Sequence, residues 1–154
     1  IAAHDLAITS LVFTPDSKTL ASASWDNTIK LWSLTAAGKS YRLLHTLSGH
    51  QDGVTTISLN SDGTVLASGS GDRTLKLWNT TTGELIKNLR GHTSQINTLA
   101  FSNDNQAIIS GESQQGLFRW NLELDNLLDR GCDRLADYLA SNPNIKQNEK
   151  NLCQ

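Results

Sequence analysis

Gly49-His50, then Leu66-Ala67-Ser68-Gly69-Ser70-Gly71-Asp72, then Leu75-Lys76-Leu77-Trp78-Asn79: this is the stretch that decides how the 154-residue chain is read. The same residue types return in the same order on either side of it. His4 to Trp32, His50 to Trp78 and His92 to Trp120 each span 28 positions, without a gap. Length varies only between units, with 18 positions from Trp32 to His50 and 14 from Trp78 to His92. A difference confined to one place marks a surface loop, here around Thr35–Tyr41. Three in-register copies make this a repeat protein.

Each unit alternates short apolar runs with turn residues. The first strand is predicted at Ile8–Phe13, Val54–Leu59 and Ile96–Phe101. Turn chemistry follows at Pro15-Asp16-Ser17, Ser61-Asp62-Gly63 and Asn103-Asp104-Asn105. A second strand is predicted at Thr19–Ser24, Val65–Ser70 and Ala107–Glu112, and a third at Ile29–Trp32, Leu75–Trp78 and Leu117–Trp120. A fourth, Leu43–Leu47 and Leu85–Leu89, follows the first two units only. The pattern predicts a mainly β chain of three antiparallel four-stranded propeller blades, residues 1–48, 49–90 and 91–121. The last blade is incomplete and three blades cannot close a ring. From Leu122 the apolar period changes to that of a helix, through Leu124, Leu127, Leu128, Cys132, Leu135 and Leu139. Residues 122–154 are therefore expected to form a short helical tail, with the first helix ended by Asn142-Pro143.

The quoted motifs closely resemble the WD-repeat consensus, over about residues 1–121. Ser33, Asn79 and Asn121 stand where the second residue of the Trp-Asp pair is usual. The resemblance implies a buried hydrogen-bond chain in each blade, from Asp through His and Ser to the Trp indole. Its members would be His4, Ser22, Asp26 and Trp32, then His50, Ser68, Asp72 and Trp78, then His92, Ser110 and Trp120. Ser24 and Ser70 are alternatives for the serine; the third unit has Glu112 at that place. Gln114 stands where the third Asp belongs, so a weaker chain is expected there. Ser, His and Asp also suggest a hydrolase triad. A nucleophile needs exposure and an oxyanion site, and would not be duplicated blade after blade. No enzyme activity is expected.

In WD repeats the residue before the turn Asp faces the rim of the channel. That places Trp25, Gly71 and Ser113 as candidate partner-binding residues, with Gln51, Asp52, Thr93, Ser94 and Gln95 in the neighbouring loops. An exposed Trp25 would be a hot spot; otherwise it packs across the turn onto its own blade. The expected function is a protein-interaction scaffold. The alternative is a ligand-sensing segment of a bacterial multidomain signalling NTPase. That alternative comes from the tail: Gly131-Cys132, Asp137-Tyr138-Leu139, Asn142-Pro143-Asn144 and Leu152-Cys153 resemble the C-terminus of cyanobacterial WD-repeat proteins, many of which carry an NTPase or effector module. No Gly-x4-Gly-Lys-Ser/Thr occurs in this chain.

Composition narrows the partners. A net charge of -2 with 18% charged residues creates no field that steers toward nucleic acid or an anionic membrane. No run of 18 apolar residues is long enough for a helical span. Cys132 and Cys153 form no disulfide framework and suit a reducing cytoplasm; whether they pair is left open, and packing as small apolar residues is favoured. Two cysteines are too few for zinc, so no metal and no cofactor are expected. The chain begins at Ile1 and contains no Met, which suggests the C-terminal part of a larger propeller. Its expected partners are other proteins, the missing blades, or a second copy meeting the open blade faces.

Overall fold

The computed structural model describes residues 3–34, 40–114 and 116–122. From residue 123 onward the expected helical tail, with both cysteines, lies outside them. The chain divides into two units, Ile1–Trp120 and Asn121–Gln154, and the blades make up the first.

Eleven strands form among the described residues: β1 (Ile8–Phe13), β2 (Thr19–Ser24), β3 (Thr28–Leu34), β4 (Tyr41–Ser48), β5 (Val54–Leu59), β6 (Val65–Ser70), β7 (Thr74–Asn79), β8 (Leu85–Arg90), β9 (Ile96–Phe101), β10 (Ala107–Glu112) and β11 (Gly116–Asn121). They make antiparallel sheets in the orders β1-β2-β3-β4, β5-β6-β7-β8 and β9-β10-β11. The architecture is mainly β: three blades in an open row, the third with three strands. The first and second strands begin and end where the apolar runs do. The third strands run further, because the ladder recruits polar residues such as Thr28, paired with Ser48, and Ser33, paired with Arg42.

The turns explain the regular hairpins. Asp16 and Asp62 each accept the amide of the residue two further on, Lys18 and Thr64, at 3.0 and 2.8 Å. Asp104 does the same with Gln106 at 3.0 Å. The next residue, Ser17, Gly63 or Asn105, is left-handed, with φ of 58°, 76° and 58°. Asx turns favour this geometry and glycine adopts it freely.

The inner strands of successive sheets lie side by side, β1 against β5 and β5 against β9. Pairing slips by one residue at the same place in β1 and β5, between Ile8 and Ser10 and between Val54 and Thr56. Such a bulge re-aims the extra side chain. Here Thr9 Oγ1 donates to the Val54 carbonyl at 2.6 Å, and Thr55 donates in the same way to Ile96.

Each blade has two faces with different sequences. Ala21, Ala23, Ile29, Leu31 and Leu47 of the first sheet pack with Val54, Ile57, Leu66 and Trp78 of the second. Small residues on β2 let the next blade approach. At Gly69 of β6 a Cβ would lie 2.6 Å from Ile96 Cγ2 of the third blade. The opposite face of the first blade is open. Ile8 and Leu11 are 46% and 58% exposed, whereas their equivalents Val54 and Ile57 are 0% and 7%. A shallow apolar cavity of about 290 Å³ opens there, lined by Ile8, Leu11, Leu20, Trp32 and Tyr41 among others.

Candidate functional site

The polar residues of each blade meet in one chain. In the first, the Trp32 indole donates to Ser22 Oγ at 2.9 Å, Ser22 Oγ lies 2.8 Å from His4 Nε2, and His4 Nδ1 lies 2.8 Å from Asp26. In the second, Trp78, Ser68, His50 and Asp72 repeat this at 2.9, 2.8 and 2.9 Å. Burial lowers the pKa of His50, and the adjacent Asp72 offsets that only in part, so the ring is neutral at pH 7. A neutral ring fixes the direction of the chain. Nδ1–H donates to the carboxylate, and Nε2 accepts the serine hydroxyl, whose oxygen accepts the indole N–H. Ser24 and Ser70 stand apart from it: their hydroxyls donate to the Leu6 and Asp52 carbonyls at 3.2 and 2.8 Å.

The carboxylates also organise backbone. Asp72 accepts the Gln51 and Thr74 amides, both at 2.9 Å, and the Thr74 hydroxyl at 2.7 Å. Asp26 does the same with Asp5, Thr28 N and Thr28 Oγ1. Burial raises the pKa of both groups, but these donors outweigh it and hold each at about 2.

The third blade corrects the expectation of a weakened chain. Trp120, Ser110 and His92 are linked at 2.8 and 2.7 Å, and His92 Nδ1 lies 3.0 Å from Glu112. Gln114 is exposed and takes no part. Glu112 starts two residues earlier, where the other blades have Ser24 and Ser70. Its extra methylene carries the carboxylate to the same place. There it accepts the Thr93 and Ser94 amides at 2.9 and 3.1 Å and the Thr93 hydroxyl at 3.0 Å. Its side chain is fully buried. Burial raises its pKa, and again the donors win, holding it at about 2. The signal was present in the sequence: an acid is gained two positions before the acid that is lost.

The serines are not placed as exposed nucleophiles. Ser22, Ser68 and Ser110 are 2%, 0% and 0% exposed, and each oxygen is already bonded to an indole.

The rim residues differ among themselves. Trp25 is 42% exposed and lies against the next blade: a Cβ on Gly53 would fall 1.9 Å from its ring. Ser113, Gln51 and Asp52 are exposed, and Gly71 is half-buried. Ser113 Oγ accepts the Asn97 amide at 2.8 Å. Thr93 and Ser94 are tied to Glu112, and the Ser94 hydroxyl is buried without a partner among the described residues. Gln95 is half-buried, with its carbonyl accepting the Ser113 amide.

Repeated antiparallel blades of three or four strands, each fastened by a Trp–Ser–His–carboxylate chain, define a β-propeller repeat protein. The chain belongs to the WD domain, G-beta repeat family, whose model matches residues 1–33, 41–79 and 83–121. POC1 centriolar protein homolog B of Mus musculus and that of Rattus norvegicus are each 49% identical to it over 39 residues. That match covers 25% of this chain and 8% of either relative. The solved structure of U3-55K is similar with a TM-score of 0.72 and 29% identity. It is matched over 78% of this chain and 37% of its own length. The chain thus spans well under half the length of these relatives.

Proposed function

We propose that this chain is a protein-binding scaffold that recognises partners through the rim loops around Trp25, Gly71 and Ser113, and that it is part of a larger propeller. Trp25 carries the reading. Its indole is braced on Gly53 of the next blade yet remains 42% exposed, at a junction of two blades. A large aromatic held rigid in solvent loses little entropy on binding and buries much apolar area. The Ser, His and carboxylate residues serve the blades, which leaves recognition to the loops. The open face of the first blade is the second surface. The positions of Ile8 and Leu11 are covered by a preceding blade wherever one is present, so a further blade or a second copy fits there. A pull-down with wild-type chain and Trp25→Ala tests the first surface. The expected result is loss of bound proteins with an unfolding midpoint close to wild type. Full retention of every partner by the variant would defeat the assignment of Trp25.

A further inference from the structure

Position 76 is occupied differently in the three blades, and the difference leaves a charge unanswered. In the first blade the equivalent Lys30 donates from Nζ to the Ala3 carbonyl at 2.8 Å. In the third, Phe118 takes the place and packs edge-on to the His92 ring, with centroids 4.4 Å apart. In the second, Lys76 is only 6% exposed as a residue, and its ammonium, which still reaches solvent, takes no hydrogen bond or ion pair among the described residues. The carbonyl equivalent to that of Ala3, Gly49 O, accepts Gln51 Nε2 at 3.4 Å instead. Asp72 is saturated by four donors, and Asp52 accepts the Gly53 amide at 2.7 Å. The stem is buried while the ammonium opens toward solvent, and the third blade shows that an apolar side chain fits this position.

Lys76 lines a cavity of about 560 Å³ at the loop end of the second blade. Arg73 and Arg90 line it too, both exposed and neither ion-paired among the described residues, with Asn88 as a further donor. Arg73 is held at the apex of its turn in left-handed backbone, φ 66°.

We propose that this cavity binds an oxyanion, the carboxylate or phosphate group of a partner polypeptide's side chain, with Lys76 at its floor and Arg73 and Arg90 at its edge. The proposal rests on the protein-binding reading and gives the second blade its own ligand chemistry. Charge-assisted hydrogen bonds to an ammonium and two guanidinium groups suit an oxyanion. Asp52 and Asp72 line the same cavity and disfavour a second negative group beside the first.

The test needs no partner protein. The full chain is titrated with sodium phosphate, and in parallel with sodium acetate, against sodium chloride at matched ionic strength. Amide shifts of Gln51, Gly71 and Arg73 report binding. Saturable shifts with phosphate or acetate are expected, weakened at least about tenfold in Lys76→Met and unchanged in Lys30→Met. Which anion saturates first distinguishes a phosphorylated from an acidic side chain. The unfolding midpoint of Lys76→Met is expected to stay close to wild type. Should that variant fail to fold, Arg90→Gln replaces it, with an expected weakening of about threefold or more. Shifts no larger than with chloride, or equal affinity in wild type and a folded variant, would overturn the proposal. Neither outcome touches the Trp25 surface, which the pull-down reads separately.

Discussion

At the scale of single residues, the same hydrogen-bond chain is built in two ways. Asp26 and Asp72 reach their histidines from the turn, and Glu112 reaches from the end of the strand. Chemical identity at an aligned position is therefore less important than where a carboxylate can be delivered. Removing Asp72 leaves the His50 Nδ1–H, two amides and a hydroxyl short of an acceptor. Asp72→Ala should lower unfolding free energy by about 1–3 kcal/mol, measured by urea denaturation. An unchanged midpoint would refute the network's structural role. The third blade offers a sharper comparison. Glu112→Ala should lower the midpoint clearly, whereas Gln114→Ala, at the aligned but exposed position, should leave it where it was. The reverse order would mean that alignment, and not geometry, identifies the acid.

At the scale of elements, equivalent strands live in different surroundings. β1 and β5 carry the same pattern, but β5 lies under a preceding blade and β1 does not. Ile57→Ala should therefore cost about 2–4 kcal/mol, through lost burial and a cavity between the first two sheets. Leu11→Ala, at the matching place on β1, should stay within about 0.5 kcal/mol. If Leu11→Ala proves as costly as Ile57→Ala, the open face is covered in solution. Sedimentation of wild type beside Leu11→Glu would then show whether the cover is a second copy.

At the scale of the whole molecule, the three networks set the response to pH. Asp26, Asp72 and Glu112 sit at about 2 in the fold, against about 4 in an unfolded chain. The unfolded state takes up these protons first. Their contribution is complete above about pH 4.5 and is lost as the pH falls toward 2. His50 acts in the same direction, because its folded pKa lies below the ordinary value near 6.5. Its contribution is present above that value and begins to fade as the pH drops beneath it. The urea midpoint should thus be flat above about pH 7, decline gently below 6.5 and fall steeply between about 4.5 and 2. A midpoint that rises on acidification would contradict the neutral assignment of His50.

The sequence by itself determined the repeat, the first and second strands of each blade and the residues of the Trp–Ser–His chain. Those follow from local rules: alternation of apolar residues, turn chemistry and a fixed spacing from His to Trp. It favoured Ser22 over Ser24, because the third unit keeps a serine only at Ser110, and the approach of Trp32 to Ser22 agrees with that choice. It misjudged the third blade, because reach across a hairpin depends on where side chains converge in space. Tertiary structure alone decided that Trp25 leans on the neighbouring blade and that Ile8 and Leu11 stand open. It also decided that Lys76, one of two matching lysines, turns its ammonium into a cavity without an acceptor among the described residues. All of these depend on what the next blade, or the lack of one, places beside a residue, and that is not encoded within its own repeat.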